Sequence, residues 1–347
     1  VKTSKKIFDV FTASGITEWE RAAAEELQGA DPWQKLTRVS QGVVLKPFYV
    51  SQTSATPYFQ LPVARSTSLG PRTWYNCPRV TVNNPTKANI EALEHLGQGA
   101  DGIFFELEDT VDFSILLKSI DWSICSLHFV AKKNMEGIAS DLSDYLEKIK
   151  GPATGGLFGT LPASPLPTHG SFRFSGQLLS SSPDSVANAL ITARKQLGNR
   201  FQTHAGDVAF SVEIGSDFFV ESSKLRALRV VWKRLLQETQ ATFQPLCIHA
   251  WARTWTHQAY DPHGNLLKAT TSAMAAILGG CDAITIDAED NQQATMSRVA
   301  RNVAIILREE SHFSKVADPL AGSYLVDDLT TQLADQIWKK VQSGIAL

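Results

Sequence analysis

Little in this chain points to a charged partner, a membrane or a metal. Its 33 basic and 35 acidic residues leave a formal net charge of -2, so there is no basic footprint for nucleic acid. No run reaches the roughly 18 consecutive apolar residues of a membrane-spanning helix. The start, Val1-Lys-Thr-Ser-Lys-Lys6, is basic but lacks the apolar stretch that follows in a secretory signal, which sets the expectation of a cytoplasmic protein. There are 4 cysteines, Cys77, Cys125, Cys247 and Cys281, and they are scattered. Metal ligation needs clustered spacing and a disulfide framework usually needs a smaller secreted chain, so buried reduced thiols and no metal are expected. A G-x-G-x-x-G fingerprint, a Walker A loop and a G-x-S-x-G elbow are all missing, which leaves three common chemistries without a motif.

What is present is alternation. Val208–Ile214 is a short apolar run, and Phe218–Leu236 follows it with Leu225, Leu228, Trp232 and Leu235 at helical spacing. Pro245–Ile248 then reads as a strand, Leu266–Leu278 as a helix closed by Gly279-Gly280, and Asp282–Asp287 as another buried strand. Strands apolar on both faces, alternating with amphipathic helices, mean a parallel sheet. The pattern extends back to Arg72, with strands expected at Thr73–Val80, Gly102–Leu107, Ile124–Val130, Thr154–Thr160 and Ser171–Leu178. Helices are expected at Pro85–Leu96, Val111–Ile120, Met135–Ile149, Pro183–Leu197, Asn291–Glu310 and, at the end, Leu329–Val341. Eight strand segments predict an α/β fold of the (β/α)8 TIM-barrel type over residues 71–347. Residues 1–70 differ: they form an arm with one helix, which a capping box at Thr17 and Glu20 would start. The arm is too poor in apolar periodicity for a core of its own, so it must lie on its own barrel or on a partner.

In such a barrel the chemistry sits at the carboxyl ends of the strands. His249, Arg253 and His257 follow the seventh strand and would suit an anionic substrate or proton transfer, although a hydrogen-bonded loop rim would use the same residues. Glu106, Glu108 and Asp109 after the second strand would suit acid–base work or holding a metal, but acidic residues also commonly open the next helix. Asp287, Glu289 and Asp290 close the last strand and would repel phosphate.

Three segments together resemble the adenosylcobalamin-dependent methylmalonyl-CoA mutase family: Phe218–Trp232, Tyr260–Asp287 and Asp318-Pro-Leu-Ala-Gly-Ser-Tyr324. The arm fits through Glu18-Trp19, Leu36-Thr37 and Gly42–Tyr49, and the Tyr260-Asp-Pro262 piece is most like the small subunit of heterodimeric mutases. The resemblance implies interconversion of methylmalonyl-CoA and succinyl-CoA by radical rearrangement, with adenosylcobalamin in the complex and coenzyme A on the substrate. It also implies departures. Where the family's active subunit has a Ser-Gly-Tyr-His run, this sequence reads Ser175-Gly176-Gln177-Leu178, so the catalytic tyrosine and histidine are replaced by Gln177 and Leu178. A further active-site tyrosine is missing from Ser66–Trp74, and the Asp-x-His-x-x-Gly cobalt-binding signature is absent from this chain, Asp261-Pro-His263 running directly into Gly264. The expectation is therefore a barrel that is itself non-catalytic, with no cofactor of its own, supporting a large catalytic subunit or pairing as a homodimer. Arg38 and Lys46 on the arm become candidate contacts to the partner or its CoA, and His249, Arg253 and His257 candidate substrate contacts. Two alternatives stay open: an acyl-CoA mutase barrel working with a separate cobalamin module, and an unrelated metabolite-binding barrel.

Overall fold

A computed structural model describes residues 15–50, 73–149, 152–159, 171–253, 264–289 and 293–345. The arm carries helices α1 (Ile16–Glu26) and α2 (Pro32–Leu36), then a hairpin of β1 (Arg38–Ser40) and β2 (Val43–Leu45). The barrel opens with β3 (Tyr75–Asn76), β4 (Arg79–Val82), α3 (Pro85–Gly97), β5 (Gly102–Leu107), α4 (Phe113–Leu116) and β6 (Ser126–Ala131). It continues with α5 (Met135–Lys148), β7 (Thr154–Phe158), β8 (Ser171–Leu179), α6 (Pro183–Leu197), α7 (Phe201–His204) and β9 (Val208–Glu213). It ends with α8 (Phe218–Glu238), β10 (Cys247–Ala252), α9 (Gly264–Gly279), β11 (Ala283–Ile286), α10 (Ala294–Glu309) and α11 (Tyr324–Gly344).

The barrel segments are all parallel neighbours, in the order β3-β11-β10-β9-β8-β7-β6-β5-β4. The two ends of that order are one stretch of chain, broken at Cys77-Pro78 because proline has no N–H to give to a ladder. Cys77 still donates to Ile284 O at 2.9 Å, and Pro78 O accepts from Phe104 N at 2.9 Å. The stretch thus pairs with β11 through its first half and with β5 through its second, and the expected eight-stranded ring closes. Each strand serves two cores, as β5 shows. Ile103, Phe105 and Leu107 pack outward under the helices, while Phe104 faces the bore. None of the described helices is long and apolar enough to cross a membrane.

Several boundaries differ from the sequence pattern, four of them for a reason the structure shows. Helix α1 starts earlier than the Thr17/Glu20 box would place it: its N-cap is Gly15, whose N–H donates to Glu18 Oε2 at 2.9 Å. Glu20 instead accepts from Trp33 Nε1 at 2.8 Å. The helix expected over Val111–Ile120 is only the short α4, ended before Ser119, which takes the left-handed backbone region. Strand β10 runs on to Ala252, because His249 and Trp251, where a polar loop was expected, are inward-facing strand residues. Helix α11 begins at Tyr324, where Ser323 caps it through Val326 N at 3.5 Å. Replacing that cap, Ser323→Ala, is expected to lower stability by about 1 kcal/mol in urea unfolding. An unchanged midpoint would mean that the long hydrogen bond contributes nothing.

The arm's hairpin lies on its own barrel. Val43 and Leu45 are buried in the same core cluster as Leu329 and Leu333 of α11. Gln332 imitates a third strand, accepting from Val44 N at 2.9 Å and donating to Val44 O at 3.1 Å. By contrast α1 buries no residue, and Trp19 holds it to the rest of the arm by packing against Trp33 and Phe48, each 5.1 Å away. The cysteines are unbridged, Cys77, Cys125 and Cys281 being buried. Burial pushes the Cys125 thiol up to about 12.

Candidate functional site

Alternate residues of each strand point into the bore, and here those positions are large. Phe104, Val130, Phe158 and Trp251 fill it, all nearly or fully excluded from solvent. The His249 ring stacks on Phe104 at 4.6 Å with planes 3° apart, and Trp251 lies 5.0 Å from the same phenyl ring. His128 sits 5.2 Å from His249 and 5.9 Å from Phe158. Hydrogen bonds fix the protons. The Thr285 hydroxyl donates to Cys77 O at 2.6 Å, so it must accept from His249 Nε2 at 2.9 Å. His249 Nδ1 is then left to accept from Ser211 Oγ at 2.8 Å. Burial, with a smaller push from His128, holds His249 well below the ordinary imidazole range, and burial lowers His128 to about 3. Both rings are neutral and sealed inside the barrel.

Above this plug, at the carboxyl ends of the strands, lies a charged mouth. Arg79 of β4 bridges two carboxylates, Glu106 of β5 at 3.2 Å and Asp287 after β11 at 3.1 Å. Lys132 pairs with Glu106 at 3.1 Å and Glu108 at 2.8 Å, and Trp251 Nε1 donates to Asp287 Oδ1 at 3.0 Å. The two carboxylates are driven apart. Burial pushes Glu106 up, but Lys132, Arg79 and Thr81 outweigh it and leave it lowered. For Asp287 burial wins over Arg79, Trp251 and Arg253, and its carboxyl is raised. Such a pair can hold one proton and one charge side by side, which is the raw material of acid–base work.

The expected site residues divide sharply. Arg253 is at the mouth, 47% exposed, with its guanidinium 4.7 Å over the Trp251 ring and loosely paired to Glu213 at 3.8 Å and Asp287 at 4.0 Å. It is the cation placed to meet an anionic ligand. His249 is not on the rim, as its position after an apolar run suggested, but in the middle of β10 with no exposed surface. His257, like Asp290, lies outside the described residues. Leu178 pairs in register with the inward-facing Ser211 and is 47% exposed, so it occupies the mouth as a bare apolar side chain. Gln177, one residue earlier, faces the helix layer and donates to Ala189 O at 3.0 Å. Arg38 and Lys46 are exposed on the arm, the backbone of Lys46 donating to Tyr49 Oη at 2.9 Å. Asp109 ties its own loop to the one after β6, accepting from Thr110 N at 2.7 Å and from Asn134 Nδ2 at 2.9 Å. Arg79 and, His249 apart, the plug residues were not singled out by the sequence. Counting alternate positions along a β10 extended to Ala252 would have placed His249 and Trp251 inside.

Comparison with known proteins gives a consistent picture. The family description Methylmalonyl-CoA mutase matches residues 186–344. The methylmalonyl-CoA mutase small subunit of Porphyromonas gingivalis is 28% identical over 97% of this chain and 64% of its own length. The methylmalonyl-CoA mutase of Rhizobium meliloti is 37% identical over 41% of this chain and 21% of its own length. The chain therefore spans under two thirds of the first of these relatives and about a fifth of the second. Among solved structures, dihydropteroate synthase from Thermus thermophilus aligns at 14% identity and a TM-score of 0.36, covering 72% of this chain and 100% of that one, a likeness too slight to bear on function.

Proposed function

We propose that this chain of the methylmalonyl-CoA mutase family acts as the non-catalytic small-subunit barrel of a two-chain mutase, supporting a large subunit that carries the chemistry. The observation that carries the reading is the plug. Among the described residues the bore is filled by Phe104, Phe158, Trp251 and two neutral histidines, which speaks against the long tail of an acyl-CoA threading the barrel axis. Leu178, where the family's active subunit has a histidine, can neither donate a proton nor hydrogen-bond a thioester carbonyl.

Adenosylcobalamin belongs to the complex in this reading. Its cobalt would need an imidazole, and the described residues at the mouth are arginines, a lysine, carboxylates, Trp251 and Leu178. Those residues do not fit the group, and no step through it is assigned to this chain. The partner would be met in part by the arm, since α1 buries nothing against its own barrel and keeps Ile16 and Leu36 exposed nearby. Arg38 and Lys46 are then the arm's cations for that partner or its CoA phosphates.

A second reading, an acyl-CoA mutase barrel working with a separate cobalamin module, is favoured by Arg253 and the oppositely shifted Glu106 and Asp287. One experiment separates the two. Methylmalonyl-CoA and adenosylcobalamin are supplied to this chain alone, then to its mixture with a candidate large subunit, with size-exclusion chromatography of the mixture. The expected result is no turnover alone and an active stable complex. Turnover by the chain alone would overturn the proposal and make Arg253→Ala the next variant. Leu178→His alone is also expected to stay inactive, because the new imidazole would stand above a bore that is still closed.

A further inference from the structure

The arm's hairpin reaches deeper than its own packing requires. Its turn, Gln41-Gly42, has left-handed backbone at both residues, and the Gln41 side chain reaches the start of α8. There Gln41 Nε2 donates to Glu221 Oε1 at 2.8 Å. Glu221 and Lys224, on the first turns of α8, are fully buried and paired at 2.5 Å. Lys224 Nζ in turn donates to Ser181 O at 2.6 Å, in the loop that leaves β8 for α6. Glu221 Oε1 also lies beside the loop that leaves β9 for α8, where only a glycine fits: a Cβ at Gly215 would lie 2.7 Å from it and 3.4 Å from Ser181 Cβ. Ser272 of α9 holds the same loop by donating to Gly215 O at 3.2 Å. The Glu221–Lys224 pair thus joins the arm, through Gln41, to the loop after Leu178, through Ser181, and lies beside the loop after Glu213.

We propose that the hairpin is a positioning element for the barrel mouth, acting through the relay Gln41–Glu221–Lys224–Ser181. With the hairpin docked, both Glu221 oxygens are engaged and the ammonium of Lys224 is left to fix the β8–α6 loop. With the hairpin lifted, Glu221 Oε1 loses its donor inside a dry site, and the pair must turn towards water or towards the glycine loop. Either movement shifts the segments that carry Leu178 and Glu213, and through Glu213 it shifts Arg253. Anything that grips the arm is therefore felt at the mouth. The relay lies within this one chain and does not depend on which partner the chain has.

The test is amide hydrogen exchange by mass spectrometry on the full chain. Gln41→Ala removes the contact. Gly42→Val undocks the hairpin from its other side, since φ there is +83° and a Cβ would lie 3.0 Å from the Gln336 side chain. Val39→Ala, at a position 72% exposed on the same hairpin, is the control. Exchange in residues 178–183 and 213–217 is expected to speed up about tenfold in the first two variants and to stay unchanged in the control and in β6. The proposal is overturned if Gly42→Val frees residues 38–45 while both mouth loops keep their protection. It is equally overturned if Gln41→Ala leaves the hairpin and the loops as they were.

Discussion

Lowering the pH from 7 to 5 is expected to remove about 4 kcal/mol of folding stability through two buried histidines, about 2 kcal/mol from each of His95 and His128, with buried His249 adding to the loss in the same direction. Burial, with Arg301 adding to it, lowers His95 to about 4. Burial lowers His128 to about 3, and burial with His128 beside it holds His249 well below the ordinary value. In the unfolded chain all three take up protons as the pH passes about 6.5, whereas in the folded chain they do not. The folded state therefore binds fewer protons, and its advantage, intact above pH 6.5, is lost as the pH falls. His95 stops contributing to the slope near pH 4 and His128 near pH 3. Asp287, whose carboxyl burial raises, works in the opposite sense, and the lowered Glu106 joins the loss only below the ordinary carboxylate range. Urea midpoints at pH 7, 6 and 5 measure the slope. His128→Leu should remove about 2 kcal/mol of the loss between pH 7 and 5. A stability that is flat from pH 7 to 5 would mean that the bore admits water and that the plug, with the functional reading built on it, is wrong.

Glu221→Leu is expected to cost about 3–5 kcal/mol, and Lys224→Met a similar amount, because each strands a charge in a site with no solvent. Both side chains are fully buried, and desolvation already pulls the Lys224 ammonium below its ordinary range against the pull of Glu221. Replacing both at once, Glu221→Leu with Lys224→Met, should recover most of the loss, since an apolar pair of similar volume needs no hydrogen bonds. The urea midpoints of the three variants form a cycle. Additive losses, with the double variant the worst, would show that the two groups do not depend on each other. Arg229 marks the contrasting case on the same helix. It reaches Leu246 O at 2.8 Å, Gly280 O at 2.6 Å and Asp282 Oδ2 at 2.9 Å, so its cation is satisfied mainly by backbone rather than by one partner.

The barrel was legible because its strands are apolar on both faces and its helices are periodic, and those patterns are local. Strand β5 was read to the residue, and so were the ends of α6. Strand β10 was cut short for a physical reason. His249 and Trp251 look polar or ambiguous along the chain, and only the neighbouring strands, with Ser211 and Thr285, and Phe104 across the bore make them interior residues. The charges of α8 show the same limit. Lys224 and Arg226 fall where a helical wheel puts a solvated face, yet α11 and the arm cover that face and bury both.

By itself, the sequence determined the α/β class, the number of strands, the likeness to the methylmalonyl-CoA mutases and the leucine at position 178. Each of these rests on residue identity or on spacing along the chain. Tertiary structure alone decided that the bore is closed, that Arg253 rather than His249 meets the solvent at the mouth, and that Gln177 faces the helices. Whether a side chain is wall, plug or site depends on what stands opposite it, and across a barrel those neighbours are distant in sequence: Phe104, Ser211 and Thr285 surround His249 from three different strands.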